Sequence, residues 1–341
     1  MKAGWVGLGW LGLTLTLGAA GQAAPEPEAV ASLRKLIDTG HPEEALKQSA
    51  ATRAKGGAPG GLYRMDGLAY YAEGQMRPAE GAFAEALKES PNDVEAAQMR
   101  GLTLVRLGRP KDAIPLLESV RGKAGGGRKA DPNYVLALCY IDVLRFDDAR
   151  RAFAAQFGME PESAPAYLLA ARMLLRREYL PVAKGFAEKA VALAPGLPLA
   201  HALLGEIALA GNHMDEAIAE FEKERAANPL EPSIYDRLGD AYGRAGRYDE
   251  AQASLQEAVL LEPNATGPYI LLGKTLMKKG DAMGAATYLE RAVKMDPQNY
   301  MTHSLLGQAY RTMGRTADAS EQTATAQRLQ TASEPKLQDV K

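Results

Sequence analysis

PSIYDRLGDAYGRAGRYDEAQASLQEAVLLEPNA, residues Pro232 to Ala265, is the stretch that decides the fold. Tyr235, Leu238, Gly239 and Tyr242 recur at helical spacing until Gly246 interrupts them. Tyr248, Ala251, Leu255 and Ala258 resume the pattern, and Pro263 stops it. The spacing predicts two short helices joined by a turn, each with one apolar face. Neither is long enough to be stable alone, so the hairpin needs neighbours to cover that face.

The rest of the chain supplies them at a fixed interval. Prolines stand at 161, 195, 229, 263 and 297, each 34 residues after the last. Anchoring on them divides the chain into nine units: 26–59, 60–93, 94–129, 130–163, 164–197, 198–231, 232–265, 266–299 and 300–333. The twentieth place is alanine in all nine, from Ala45 to Ala319. The eighth is Gly or Ala in all but the first, where Leu33 stands, and the fifteenth is glycine in six. Small residues at places 8 and 20 let two helices approach, glycine between them allows a turn, and proline prevents the second helix from continuing.

This pattern resembles the tetratricopeptide repeat, with its small and aromatic signature positions and a proline near the end of each 34-residue unit, over residues 26–333. The resemblance implies an all-α solenoid of nine helix-turn-helix units forming a right-handed superhelix. The first helix of each unit would line a concave groove that holds peptides or other proteins. The ends of such a stack need a wettable outer face, and Ser49 and Thr323 are expected to provide it where other units carry Phe or Leu. Unit 94–129 is irregular. Pro115 falls inside its second helix, and RGKAGGGRK, Arg121 to Lys129, follows as either a flexible surface loop or a hinge.

Outside the repeats, Lys2, an apolar run of 13 residues from Trp5 to Leu17, and the small-residue stretch GAAGQAA read as a secretory signal, 1–24, cleaved after Ala20 or Ala23. The run is too short to span a membrane, so the mature chain is expected to be exported, periplasmic or extracellular, with no transmembrane span. Trp5 and Trp10 are the only tryptophans, so a processed protein should show tyrosine fluorescence alone. The tail, 334–341, is expected to be loose.

Composition excludes several classes. A formal net charge of −2 over 341 residues gives no reason to expect nucleic acid, and the single Cys139 allows no internal disulfide. His41, His201, His213 and His303 belong to separate units, without the spacing of a zinc helix, so no metal and no cofactor are expected. His201 and His303 occupy the fourth place, where tyrosine stands in other units, and read as packing substitutes. With 308 residues in repeats no room remains for a catalytic domain, and the chain reads as non-enzymatic.

The family resemblance turns places 2, 5, 9, 12 and 13 toward the groove. These include Leu68, Tyr71, Leu102, Val105, Tyr134, Leu138 and Ile141 in units 2 to 4. In units 5 to 9 they include Arg172, Arg176, Glu206, Asp236, Asp240, Arg244, Lys274, Lys278 and Arg311. The expected groove is apolar at first and charged later, suited to a peptide or helix with an apolar and an acidic segment. No asparagine occupies any ninth place, so the family's carboxylate clamp is unsupported. Asp66 and Arg100, at the seventh place of adjacent units, are expected either to form a structural ion pair or to be solvated separately.

The functional expectation is a protein-binding scaffold of the cell envelope, supporting assembly or secretion machinery. Two alternatives stand beside it: a periplasmic carbohydrate-handling scaffold in polysaccharide export, and a cytoplasmic or membrane-tethered adaptor that keeps its leader.

Overall fold

The computed structural model describes residues 27–56, 59–123 and 132–333. The leader 1–24, most of the glycine-rich loop and the tail 334–341 lie outside the described residues. Among the described residues there are eighteen α-helices and no strand. The chain divides into two compact units, residues 1–130 and 131–341.

The first unit holds three hairpins: α1(Glu28–Asp38) with α2(Pro42–Ala54), α3(Leu62–Ala72) with α4(Met76–Glu89), and α5(Val94–Arg106) with α6(Pro110–Ser119). The second holds six. They pair α7(Asn133–Asp142) with α8(Phe146–Gln156), α9(Ala164–Arg176) with α10(Leu180–Leu193), and α11(Ala200–Ala210) with α12(Met214–Ala227). The last three pair α13(Pro232–Arg244) with α14(Tyr248–Leu261), α15(Thr266–Lys279) with α16(Ala282–Met295), and α17(Tyr300–Thr312) with α18(Thr316–Ser333). Within each unit every hairpin packs on the next. Pro115 does lie inside a second helix, and α6 is only 10 residues long.

All nine alanines at place 20 are buried, so the reason for their smallness is contact. Place 8 has an equally direct cause. A β-carbon added to Gly239 would lie 2.3 Å from Leu255 Cγ, and one on Gly205 would lie 2.5 Å from Phe221. A bulky residue at place 24 fills the space that glycine at place 8 leaves open.

That geometry corrects one expectation. Ser49, at place 24 of the first hairpin, is 1% exposed, and Thr323 is only partly exposed. Place 24 faces the interior of its own hairpin, so it cannot supply a wettable end. Leu33 and Ser49 instead reverse the usual bulk, large at place 8 and small at place 24.

The turns keep one conformation through changes of residue. Glycines 40, 74, 108, 246, 280 and 314 have φ between 72° and 83°, and the non-glycine residues Leu144, Glu178 and Asn212 sit at 62° in the same place. The reason is a shared cap, in which Arg247 N–H donates to Tyr242 O at 2.9 Å and Arg145 N–H to Tyr140 O at 2.7 Å. That bond requires a left-handed residue between its ends.

Two further devices act, one between successive hairpins and one within a hairpin. Tyr242 donates to Glu222 at 2.7 Å and Tyr310 to Glu290 at 2.8 Å, each tyrosine lying under an arginine, Arg247 or Arg315. Burial, and then the Glu222 hydrogen bond, push the Tyr242 hydroxyl up to about 12. The buried Glu224 accepts from the N–H groups of Leu199 and Ala202, capping α11 from the neighbouring α12.

Candidate functional site

First helices pack directly on one another at α1–α3, α3–α5, α9–α11, α13–α15 and α15–α17, which brings their groove places together. In the first unit this face is closed by its own charges. Arg34 on α1 makes a two-pronged pair with Glu95 on α5, at 2.9 and 2.5 Å. Arg64 on α3 reaches Glu95 at 3.3 Å and Asp93 at 2.8 Å. Leu68, Leu102 and Val105 are half-buried beside them. Tyr71 lies beneath the Arg106 guanidinium, 4.5 Å from the ring centre.

In the second unit the apolar groove residues are few. Tyr134 is exposed at one edge and meets the Phe153 ring at 5.8 Å, and Leu138 is half-buried. Ile141, expected on the groove, is fully buried, because its place in α7 turns into the stack. The charged residues distribute as follows. Arg172 is half-buried and Arg176 exposed on α9. Arg311 is exposed on α17 and donates to the Thr323 hydroxyl at 3.5 Å. Glu206 pairs with Arg237 at 2.7 Å.

Between α13 and α15 the face opens into a cleft of about 70 Å³, lined by Gly239, Asp240, Gly243, Arg244, Tyr248, Leu271, Lys274, Thr275 and Lys278. Four of the predicted groove residues, Asp240, Arg244, Lys274 and Lys278, therefore meet at one place. They do so because places 9 and 13 lie one helical turn apart on one face. Asp240 and Arg244 neutralise each other at 2.9 Å. Lys274 and Lys278 are exposed and have no counter-ion among the described residues.

Asp236, one turn before Asp240 on α13, behaves differently. Its Oδ1 is sealed from solvent and has no hydrogen-bond donor among the described residues. Burial, and then the nearby Asp240 carboxylate, raise its pKa, with Arg237 opposing them. Gly267, at the start of α15, faces it; a β-carbon there would lie 3.9 Å from Oδ1.

The Asp66–Arg100 pair does not form. Asp66, buried, takes Arg53 of α2, while Arg100 donates to Glu80 of α4 at 3.0 and 2.8 Å. Place 7 looks back at the second helix of the preceding hairpin, so the seventh places of adjacent units never face each other. His303 does stand in for tyrosine: its Nε2 lies 3.1 Å from Pro297 O, as the Tyr269 hydroxyl lies 3.1 Å from Pro263 O. His201 lies 2.7 Å from Glu220. Cys139 is buried, and burial followed by Asp142 pushes its thiol up to about 11, which leaves it unreactive.

Tyr248, Leu271 and Thr275 line the cleft although the groove places omit them. Thr275 had a signal, since it occupies the tenth place where Ala69, Ala241 and Ala309 stand in other units. Among the described residues no group of three or more His, Cys, Asp or Glu side chains could hold a metal, and no helix is long and apolar enough to cross a membrane.

Stacked helical hairpins, each packed on the next within its unit, define a helical-repeat protein. Models of the tetratricopeptide repeat match residues 232–265, and residues 64–128 and 270–330. The chain therefore carries tetratricopeptide repeats over those segments. Among solved structures it is similar to MamA 41-end from Desulfovibrio magneticus RS-1, at 19% identity over 50% of this chain and 97% of that one, TM-score 0.48. It is also similar to YrrB, described as a TPR protein with an unusual peptide-binding site, at 22% identity over 55% and 95% of the chains, TM-score 0.46. The PilF protein of Pseudomonas aeruginosa is 20% identical over 48% and 75%, TM-score 0.45. No curated protein sequence matches the chain.

Proposed function

We propose that this chain is a non-catalytic scaffold that holds a segment of a partner protein against the first-helix face of its second unit, with the α13–α15 cleft as the principal seat. The observation that carries this reading is the contrast between the two units. The first-unit face is closed by the Arg34–Glu95–Arg64–Asp93 network, whereas the cleft keeps Lys274 and Lys278 exposed and uncompensated. Exposed charge beside a preformed recess is suited to a polar segment with its own charges. The setting is the cell envelope, in assembly or secretion machinery, with the leader removed at Ala20 or Ala23; the leader composition supports export.

Site-specific photocrosslinking in the native cell tests this. A crosslinker at Lys278 should capture the same partner protein repeatedly, and one at Lys294, on the exposed surface of second helix α16, should not. Equal capture at both positions, or recovery of glycans alone, would refute the scaffold reading. Amino-terminal sequencing of the natural protein tests export, and an intact Met1 would overturn it.

A further inference from the structure

The uncompensated charges of the second unit have an order along the helices, and that order specifies an occupant. In the first unit the ninth, fifth and second places of consecutive hairpins hold Arg34, Arg64 and Glu95, which satisfy one another. The same three places in the later hairpins hold Glu206, Asp236 and Gly267. Glu206 turns to Arg237 at 2.7 Å, and Gly267 has no side chain to offer. Asp236 is left with a sealed, donorless oxygen beside the one position where its counter-charge would have stood. Two uncompensated cations, Lys274 and Lys278, lie further along α15 in the cleft.

We propose that this face reads an extended segment of a protein partner that places a lysine or arginine over Asp236 and an aspartate or glutamate between Lys274 and Lys278. The inference rests on the scaffold reading above and adds a charge order and a spacing to it. From Gly267, which marks Asp236 on α15, to Lys274 is about 10 Å along the helix axis, and to Lys278 about 16 Å, at 1.5 Å per residue. An extended chain advancing roughly 3.3 Å per residue covers those distances in about three to five residues. A helical segment would need about seven to eleven residues for the same distances, so the spacing of the selected charges separates the two forms. The cation meets the half-buried Asp236 carboxylate at the oxygen other than the sealed Oδ1, gives it a charge-assisted partner and offsets its repulsion from Asp240 and Glu262.

Selection from a library of ten-residue peptides, randomised at every position and presented to the full chain, tests this directly. The expected peptides carry a basic residue and an acidic residue about three to five positions apart. Asp236→Asn should abolish the preference for the basic residue alone and weaken a selected peptide about tenfold, as loss of one charged hydrogen bond does. Lys274→Gln with Lys278→Gln should abolish the acidic preference alone, and Asp236→Lys should invert the first preference. Far-UV circular dichroism checks that each variant keeps its helices. Peptides that compete with one another but show no charge bias, or a bias that survives Asp236→Asn, would overturn the charge order while leaving a groove-binding scaffold. Failure of the wild-type chain to select any peptide would overturn both.

Discussion

Gly239→Ala should destabilise the protein, although the same change one helical turn later, Gly243→Ala, should stabilise it. Both glycines lie within α13, where alanine is worth about 1 kcal/mol over glycine. The difference is what a new β-carbon meets. At 239 it would stand 2.3 Å from Leu255 Cγ and 2.4 Å from Cδ2, more than 1 Å inside the ~3.5 Å of an ordinary carbon contact. Leu255 is fully buried, and the clash involves its branch point, so it cannot swing a free end aside. Overpacking of this kind costs about 1–3 kcal/mol and outweighs the propensity gain. At 243 the nearest atom is Thr275 Oγ1 at 3.9 Å, and only the gain remains. The cause is isolated by Leu255→Ala, which alone should cost about 2–5 kcal/mol. Added to that variant, Gly239→Ala no longer meets the three Leu255 atoms nearest its β-carbon and should now stabilise by about 1 kcal/mol. The coupling equals the overpacking cost, about 1–3 kcal/mol, and is read from urea midpoints at unchanged slope. Stabilisation by Gly239→Ala in the wild-type background would refute the account of place 8.

Leu144→Gly and Glu178→Gly should each stabilise by about 0.5–1 kcal/mol by relieving a left-handed non-glycine turn, whereas Gly246→Ala should cost about 1 kcal/mol; thermal melts decide between the signs. Glu224→Ala should cost about 2–4 kcal/mol by orphaning the Leu199 and Ala202 N–H groups, with Glu224→Gln intermediate, and amide exchange should quicken at the start of α11. Asp236→Asn should raise stability at neutral pH. The raised pKa of this carboxyl means that ionisation, disfavoured by burial and Asp240, opposes folding above the folded-state pKa. The advantage should shrink as the pH falls and vanish below the ordinary aspartate value of 3.8, and a stability profile in which it grew at low pH would contradict the assignment.

The architecture was legible because it is written as spacing. Ala45 through Ala319 and the prolines from 161 to 297 repeat at one interval, and an interval survives translation into three dimensions. The cleft was partly legible for the same reason: Asp240, Arg244, Lys274 and Lys278 share face positions, so they converge. Which charge finds which partner was not legible. Asp66 and Arg100 occupy equivalent places, yet each reaches back to a different second helix, to Arg53 and to Glu80. Asp236 stands unpartnered because Gly267 contributes nothing and Arg237 is held by Glu206, and these depend on register across three hairpins. The burial of Ser49 escaped for a related reason, since a polar residue near an end reads as surface until the facing bulk is known.

The reversed bulk of the first hairpin has a consequence for recombination. Its Leu33 and Ser49 divide between two helices a volume that Gly67 and Phe83 divide the other way in the second. Joining α1 to α4 would set a leucine against a phenylalanine, and joining α3 to α2 would leave a hollow where the ring had been. At this contact the hairpin, and not the single helix, is the unit that can be exchanged, and a crossover between units that spares it must fall after the second helix.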